Sequence, residues 1–351
     1  MIRIAACLAV ALVLAVPHGG LARSPVDALT QEQQVGQVLV LSFSGTTVPT
    51  YVRAALRERR VAGVILFGGN ITGPKQLRSL TRDLRGQGGK PIVAVDQEGG
   101  KVRRLPWAGP SVAQPAQLAR GIVRSDAAAA ARALRTAGVT VTFAPVADVP
   151  SVRGAALAGR SFSRDPDAAS AAVRAAVRGW SSGGVASTAK HFPGLGGAPA
   201  NTDDAIVTIG RSRDELDAVD LPPFRSAIAA GVPLVMVGHA RYPALDRSRI
   251  ASQSRPILDG LLRDELGFGG VVVTDSLEAQ ASLATGSITR VSERSLRAGA
   301  DLLLLTGRGS YARVYEHMLA AARRSPELRA RVREAAARVL ALKSRGALPP
   351  G

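Results

Sequence analysis

Residues 61–95, VAGVILFGGNITGPKQLRSLTRDLRGQGGKPIVAV, contain one complete repeat of the pattern that decides the fold. An apolar run at each end, Gly63 to Phe67 and Pro91 to Val95, flanks a polar stretch whose leucines have helical spacing. Continuous rather than alternating apolar runs are typical of parallel strands that are buried on both faces. The stretch therefore predicts a strand, a helix and a second, parallel strand.

The same alternation recurs along the whole chain. Thr30 and Gln33 have the spacing of a capping box, Pro222 opens a helix, and Gly231 closes one. Eight such units predict an α/β fold, a single-domain (β/α)8 barrel of the TIM type over residues 29–345. A doubly wound open sheet is the alternative, and the lack of a G-x-G-x-x-G motif after the first run disfavours it. The other six β-prone runs cover residues 38–43, 139–146, 185–190, 234–238, 270–274 and 301–306.

The composition narrows the class of protein. Hydrophobic residues make up 46% and charged residues 21% of the 351 residues, which is typical of a chain with a packed core. The net charge is +18, but the arginines are scattered and aromatic residues are only 4%. Nucleic-acid binding is therefore disfavoured as the main function. The excess charge is better interpreted as a solvated surface with a weak attraction to anionic polymers such as cell wall.

The N-terminus predicts export. Arg3 precedes an apolar stretch from Ile4 to Val16, and Gly20 and Ala22 are small residues at the usual cleavage positions. We expect a signal peptide at residues 1–22, cleaved near Ala22, and an extracellular or cell-envelope protein with no stable membrane insertion. An uncleaved anchor helix is the alternative. Residues 346–351 are expected to form a loose C-terminal tail.

Titratable side chains stand directly after several of the predicted strands. In a barrel the carboxyl ends of all strands meet at one rim, where catalytic groups lie. Charge buried there needs a partner or a function, because burying it is costly. The simplest structural interpretation is that Lys190 only neutralises a neighbouring aspartate. The rim residues are Asp96, Asp148, Lys190, His191, His239 and Asp275.

These residue types restrict the chemistry. Cys7 is the only cysteine and lies in the predicted signal peptide, and the sequence shows no metal-ligand cluster, G-x-S-x-G elbow or P-loop. Carboxylates and an imidazole are sufficient for glycoside hydrolysis, in which one carboxylate is the nucleophile and another group donates a proton. The competing chemistry is a Schiff-base lyase built on Lys190, which borohydride trapping with a carbonyl substrate would detect.

Six motifs occur in order at successive strand ends: VAGVILF (61–67), DQEGGKVRRL (96–105), FAPVAD (143–148), GRSF (159–162), KHFPG (190–194) and VVVTDSLE (271–278). Together they resemble the family 3 glycoside hydrolases, specifically the single-domain bacterial β-N-acetylglucosaminidases (β-N-acetylhexosaminidases), from Leu29 to about Lys343. The resemblance implies a (β/α)8 barrel and a retaining mechanism through a covalent glycosyl-enzyme. It implies no metal and no organic cofactor.

The resemblance also assigns roles to individual residues. Asp275 matches the catalytic nucleophile of the family, which attacks the anomeric carbon and is later displaced by water. Charged hydrogen bonds to vicinal hydroxyls would fix the sugar ring as it flattens in the transition state. For Arg160 the alternative interpretation is an ion pair with Asp148. The residues that match sugar-holding positions are Asp96, Arg103, Arg160, Lys190 and His191.

The acid/base loop departs from the family pattern. In the N-acetylglucosaminidases, KHFPG precedes a loop with Asp-Ser-His, whose histidine is the acid/base. Here Asn201-Thr-Asp203 stands at those positions, so the imidazole is absent. Asp203 can itself protonate the leaving oxygen if the loop raises its pKa, or Asp204 can do so after a one-residue shift. In a third interpretation the acid/base is lost.

The sequence thus predicts an exported hydrolase with Asp275 as nucleophile and Asp203 as acid/base. Its expected reaction removes β-linked N-acetylglucosamine, or a related hexose, from cell-wall or peptidoglycan-type oligosaccharides. The alternatives are a β-glucosidase-type hydrolase of the same family and a degenerate barrel that binds sugar without turnover. The expected partners are the oligosaccharide and cell-wall polymer, and neither nucleic acid nor a cofactor is expected.

Overall fold

The computed structural model describes residues 24–344. The predicted signal peptide and the tail at 346–351 lie outside the described residues. Seven of the eight apolar runs contain one strand each, and the strand of the run at 185–190 begins inside it and extends two residues beyond it. All eight strands are short and mostly buried. They are β1 Leu39–Ser42, β2 Gly63–Ile65, β3 Ile92–Val95, β4 Val141–Thr142, β5 Thr188–Phe192, β6 Leu234–Val237, β7 Val271–Thr274 and β8 Leu303–Leu305.

The eight strands form two parallel ladders. Five lie in the order β8-β1-β2-β3-β4, and three lie in the order β7-β6-β5. In the first sheet, Leu39 of β1 is paired with Leu303 of β8, so the first and the last of the eight strands lie side by side. The parallel α/β organisation predicted from the apolar runs is confirmed.

The sequence predicts a closed ring of eight strands, but the strands do not form one continuous ladder. Isolated parallel bridges stand where the two sheets meet: Val141 to Ala186 and Val146 to Lys190 between β4 and β5, and Val273 to Leu302 between β7 and β8. Beside β4, Pro145 has no N–H to donate to a ladder. Beside β7, the Thr274 hydroxyl accepts the Leu304 N–H at 3.1 Å and replaces a main-chain acceptor. These local substitutions separate the two sheets.

A helix or helical turn follows every strand, and their starts and ends are encoded locally. The Thr30 capping box is formed with Gln33, and Pro222 stands at the first position of its helix. Gly231, with φ 78°, ends that helix in the left-handed conformation that glycine adopts without strain. The helices are α1 Gln31–Gly36, α2 Thr50–Arg57, α3 Pro74–Gly86, α4 Gln114–Ala119, α5 Val123–Thr136, α6 Pro166–Ser182, α7 Arg213–Glu215, α8 Pro222–Ala229, α9 Gln280–Leu283, α10 Ile288–Ala298, α11 Ser310–Arg324 and α12 Pro326–Ser344.

Shorter elements complete the described chain. Single 3₁₀ turns cover Pro25–Ala28, Gly68–Asn70 and Ala251–Gln253, and π-helical segments cover Leu216–Asp220 and Pro256–Glu265. Two hairpins follow strands of the sheets. One pairs Gln97–Gly99 with Val102–Arg103 after β3, and the other pairs Arg241–Tyr242 with Asp246–Ile250 after β6.

Two apolar clusters hold the fold together. The larger cluster lies between the strands and the surrounding helices, and the smaller one gathers side chains from β1 to β4 and β6 to β8, with Ala186 just before β5. Val339 and Leu342 of α12 belong to the smaller cluster, so the last helix packs on the ends of the strands. Within residues 24–344, no helix has the length and apolar character needed to cross a membrane.

A buried charge cluster lies where the strands begin. Asp301, just before β8, is fully buried and accepts the Val272 N–H of β7 at 2.9 Å. It also pairs with three guanidinium groups, those of Arg263, Arg331 and Arg338. One carboxylate therefore ties two strands to α12 and to the helix after β6.

Candidate active site

A cavity of about 340 Å³ opens at the carboxyl ends of the strands. Its walls come from the ends of the strands and from segments that follow β2, β3, β4, β5, β7 and β8, which explains why residues far apart in sequence meet there. Six residues that the sequence analysis singled out lie around it. They are Asp96, Arg160, Lys190, His191, Asp203 and Asp275.

Lys190 lies at the centre of a buried charge network on one wall. Its ammonium group is 2.8 Å from Asp96 and 2.7 Å from Glu98. Arg160 donates from Nη2 and Nε to the two carboxylate oxygens of Glu98, at 2.7 and 2.9 Å. Burial alone would raise the pKa of Glu98, but Lys190 and Arg160 lower it to about 2. The wall therefore presents charged groups whose positions are fixed by one another.

This network changes two interpretations of the sequence. Arg160 is paired with Glu98 and not with Asp148, the partner considered from the sequence. Burial alone would lower the pKa of Lys190, but Asp96 and Glu98 raise it above its ordinary value. A lysine held as an ammonium is a poor nucleophile, so the environment disfavours the Schiff-base lyase.

The hairpin after β3 brings Glu98 into the site. Gly99 and Gly100 have φ values of 107° and 59°, which allow the chain to turn back directly after Glu98. The Gln97 amide holds the turn by donating to Leu105 O and Ala108 O at 3.0 and 3.1 Å. The left-handed backbone at these two glycines therefore helps to place the Glu98 carboxylate in the site.

Asp148 orients His191. It accepts the ring Nδ1–H at 2.7 Å and also the backbone N–H groups of His191 and Leu195. A carboxylate on Nδ1 leaves Nε2 directed toward the cavity, where it lies 3.9 Å from Asp275. Asp148 thus positions an imidazole beside the predicted nucleophile.

Asp275 follows β7 and faces the cavity with 22% of its side chain exposed. Burial alone would raise its pKa, but His191, His239 and Lys190 hold the pKa below the ordinary value. Ser276 contributes by donating its backbone N–H to Oδ1 at 2.8 Å. A carboxylate kept ionised in a cavity is suited to attack an electrophilic carbon.

His239 is buried under this carboxylate. Its Nε2 lies 2.9 Å from Ser276 O and its Nδ1 lies 2.8 Å from the Ser252 hydroxyl. Burial lowers its pKa, which favours the neutral ring. His239 therefore supports the loop that carries Asp275 and does not line the cavity.

Asp203 approaches the cavity from a loop over the site. Its carbonyl accepts the Gln280 N–H at 3.0 Å, and the neighbouring Thr202 carbonyl accepts the Ala281 N–H at 3.2 Å. These two bonds fasten the loop to the segment that follows Asp275. The Asn201 amide donates to the Asp203 carboxylate at 2.9 Å. Burial and the nearby Asp275 charge raise the pKa of Asp203.

Two predicted positions lie elsewhere. Arg103 donates to Ser111 O at 3.3 Å and is not part of the cavity lining, whereas its neighbour Arg104 is. Arg104 lies 3.7 Å from Asp96 and over the Phe67 ring. Asp204 does not line the cavity either. Sequence reasoning therefore missed Arg104 and Glu98, although both stand inside the DQEGGKVRRL motif.

The described residues show no metal site. Within residues 24–344, no group of three or more His, Cys, Asp or Glu side chains is arranged to hold a metal ion.

Similarity to known proteins points in one direction. Residues 30–342 match the profile of the family described as glycosyl hydrolase family 3 N terminal domain. A protein of Nitrosomonas eutropha named beta-hexosaminidase is 34% identical over 278 residues, which cover 76% of this chain and 80% of that protein.

Solved structures agree with this match. A glycoside hydrolase family 3 beta-N-acetylglucosaminidase from Paenibacillus sp. superposes with a TM-score of 0.88 at 34% identity, covering 92% of this chain and 64% of that one. A beta-N-acetylhexosaminidase from Beutenbergia cavernae gives a TM-score of 0.83 at 31% identity, covering 90% and 98% of the two chains.

Proposed function

Because the chain belongs to glycosyl hydrolase family 3, we propose that it is a retaining β-N-acetylhexosaminidase with Asp275 as nucleophile. The observation that carries the proposal is the cavity itself. An ionised Asp275 faces a charged wall built around Lys190 and lies next to the loop that carries Asp203. The names of the relatives support N-acetylglucosamine as the sugar that is released.

We also propose that the eight parallel strands form a (β/α)8 barrel. The bridges from Val141 to Ala186 and from Val273 to Leu302 connect the two sheets at both of their open edges. The smaller apolar cluster, which collects side chains from nearly every strand, is what a barrel interior would contain.

The reaction would proceed in two steps. The Asp275 carboxylate attacks the anomeric carbon, forming a glycosyl ester as the bond to the leaving oxygen breaks and Asp203 gives that oxygen its proton. Asp203, now a carboxylate, then takes a proton from water. The water oxygen attacks the same carbon, displaces Asp275 and leaves the sugar with its original anomeric configuration.

The charged wall would hold the sugar. Asp96 and Lys190 offer an acceptor and a donor to adjacent hydroxyls, and Arg104 and Arg160 add guanidinium donors. Since these groups already bind one another, little reorganisation is needed when the ring flattens. His191 would present its Nε2 between the sugar and Asp275.

For the acid/base, the geometry favours Asp203 over Asp204. Only Asp203 of the two lines the cavity, and burial and the Asp275 charge raise its pKa, which is the direction that a general acid requires. Asn201 takes the place of the family's aspartate beside the acid/base, and it donates a hydrogen bond to the carboxylate. A carboxyl group would thus do in this chain what an imidazole does in its relatives.

Labelling tests the nucleophile. A fluorinated mechanism-based glycoside should label Asp275 covalently, and Asp275→Ala should lower kcat roughly 10³-fold or more, on the order of 4 kcal/mol. A label on another residue, or near-native turnover of the variant, contradicts the assignment.

Turnover separates an enzyme from a sugar-binding barrel. A dinitrophenyl glycoside should react without strong acid assistance, and this reaction should vanish in Asp275→Ala. Binding of the sugar without any turnover above the Asp275→Ala background would instead establish the degenerate barrel.

Leaving-group dependence tests Asp203. Asp203→Ala should lose roughly 10²- to 10⁴-fold activity on a disaccharide but much less on a dinitrophenyl glycoside. Azide should restore turnover and give a glycosyl azide of retained configuration, because azide needs no base. Asp204→Ala is the neighbouring control. If Asp204→Ala and not Asp203→Ala shows the leaving-group dependence and the azide rescue, the acid/base is Asp204.

The remaining parts of the proposal concern the substrate and the location. We propose a cell-wall oligosaccharide as natural substrate and export as the route to it, supported by the N-terminal sequence. A panel of β-linked chromogenic glycosides, including the glucoside, tests the sugar. Fractionation of the producing cells tests the location, and a glucoside turned over best would favour the β-glucosidase alternative.

A further inference from the structure

A second concave surface lies on the helical layer, outside the cavity of the candidate active site. It is a groove of about 430 Å³ between α3 and α5. Four arginines line it, and none of its described lining residues is a carboxylate. The lining consists of Arg78, Thr81, Arg82, Arg85, Gly86, Arg135, Thr136 and Gly138.

The acidic residue of α3 lies outside the groove lining. Asp83 pairs with Arg53 of α2 at 2.6 Å. The described lining itself therefore carries four guanidinium groups and no carboxylate.

Helix geometry arranges the charges in a line. Arg78, Arg82 and Arg85 are spaced by four and three residues, so they share one face of α3 and span about 10 Å. Arg135 of α5 supplies the opposite wall. Gly138 has φ 83°, and a Cβ there would lie 2.3 Å from the Thr81 hydroxyl, so glycine permits the close approach of the two segments. The floor of the groove is therefore tightly packed.

We propose that this groove binds a linear polymer that carries phosphate groups. Guanidinium groups bind phosphate oxygens through paired N–H donors, and a row of them matches a chain of regularly spaced anions. Among the described residues of the lining there is no aromatic ring on which a nucleobase would stack, which favours a phosphate polymer over single-stranded nucleic acid. The proposal does not depend on the hydrolase activity.

The test compares two triple variants of the full chain with equal loss of charge. Arg78→Gln, Arg82→Gln and Arg135→Gln remove groove arginines, whereas Arg247→Gln, Arg249→Gln and Arg329→Gln remove exposed arginines elsewhere. Binding of fluorescent long-chain inorganic polyphosphate is measured over a series of salt concentrations. The groove variant should bind at least tenfold more weakly, with a salt dependence reduced by two to three ion contacts (roughly one per arginine).

Activity on a small soluble glycoside should stay unchanged in both variants, which shows that they are folded. Equal weakening of polyphosphate binding in both variants would mean that only net charge matters, and it would overturn the proposal. No binding of polyphosphate by the parent protein would do the same. Tighter, groove-dependent binding of a single-stranded oligonucleotide or of anionic phospholipid vesicles would assign the groove to another class of partner.

Discussion

At the scale of single residues, Asp275 and Asp203 have pKa values shifted in opposite directions. Asp275 must be ionised to attack, so activity should fall only as the pH drops below its lowered pKa. Asp203 must carry a proton, so activity should fall as the pH rises through its raised pKa. The kcat/KM profile for a disaccharide should therefore be a bell whose alkaline limb disappears in Asp203→Ala. If the alkaline limb persists in this variant, it reports the titration of another group and not of Asp203.

Glu98 gives a second prediction at this scale. Glu98→Gln leaves Lys190 and Arg160 with Asp96 as their nearest carboxylate, and we expect a loss of about 3–5 kcal/mol in the free energy of unfolding at neutral pH. The folded-state pKa is about 2, below the ordinary 4.5, so the stabilisation is complete above that ordinary value. It should disappear as the pH falls toward 2.

Chemical denaturation of both proteins across this pH range measures the effect. Glu316→Gln, which changes an exposed carboxylate on α11, is the matched control and should alter stability little. If the free energies of unfolding of Glu98→Gln and of the parent differ by the same amount down to the lowest pH, Glu98 acts through packing and not through its charge.

Sequence reasoning found most of the residues around the cavity but not their network. Charged residues directly after apolar runs identified Asp96, Lys190 and Asp275, because strand ends are predictable from hydrophobicity. Glu98 was not predicted because the direction of its side chain depends on the glycine turn that follows it. Arg104 escaped in favour of Arg103 because neighbouring residues of an extended segment face opposite sides, so an error of one residue reverses the assignment.

At the scale of elements, the loop from Leu195 to Asp203 decides the reaction. A Cβ on Gly196 would lie 1.9 Å from Val149 O, so Gly196→Ala must push this loop away from the segment after β4. A displaced loop misplaces Asp203, and we expect a tenfold or larger loss of kcat on a disaccharide and a smaller loss on a dinitrophenyl glycoside.

The adjacent Gly197→Ala is the control for that experiment. Its Cβ would meet Ile209 at 3.5 Å, an ordinary contact, so the loop can stay in place. Equal losses in the two variants, or equal losses on both substrates for Gly196→Ala, would show that loop position does not control proton transfer.

The elements themselves were largely predictable. Every β-prone run overlaps its strand, and the capping box at Thr30 and the stop at Gly231 occur where the local chemistry places them. The two interruptions between the sheets were not visible in the runs. They depend on how Pro145 and Thr274 meet a neighbouring strand, which is a property of the assembled sheet.

At the scale of the whole molecule, Asp301 connects parts of the chain that form different layers. Asp301→Asn would leave Arg263, Arg331 and Arg338 without their shared charge, and we expect about 3–5 kcal/mol of destabilisation. Asp259→Asn breaks the exposed pair with Arg255 and should cost about 0–1 kcal/mol. Thermal unfolding separates the two variants, and equal shifts in Tm would contradict the role of Asp301.

The pairing of β1 with β8 has a consequence for how the protein folds during its synthesis. The Ser42 hydroxyl donates to Thr306 O across 264 residues, so the partner of β1 is synthesised long after β1 itself. At the usual 5–20 residues per second, a ribosome needs tens of seconds to cover that distance. During this time a nascent chain carries a strand with one open edge, the kind of surface on which chains aggregate. We therefore expect chaperones to bind the nascent chain during this interval.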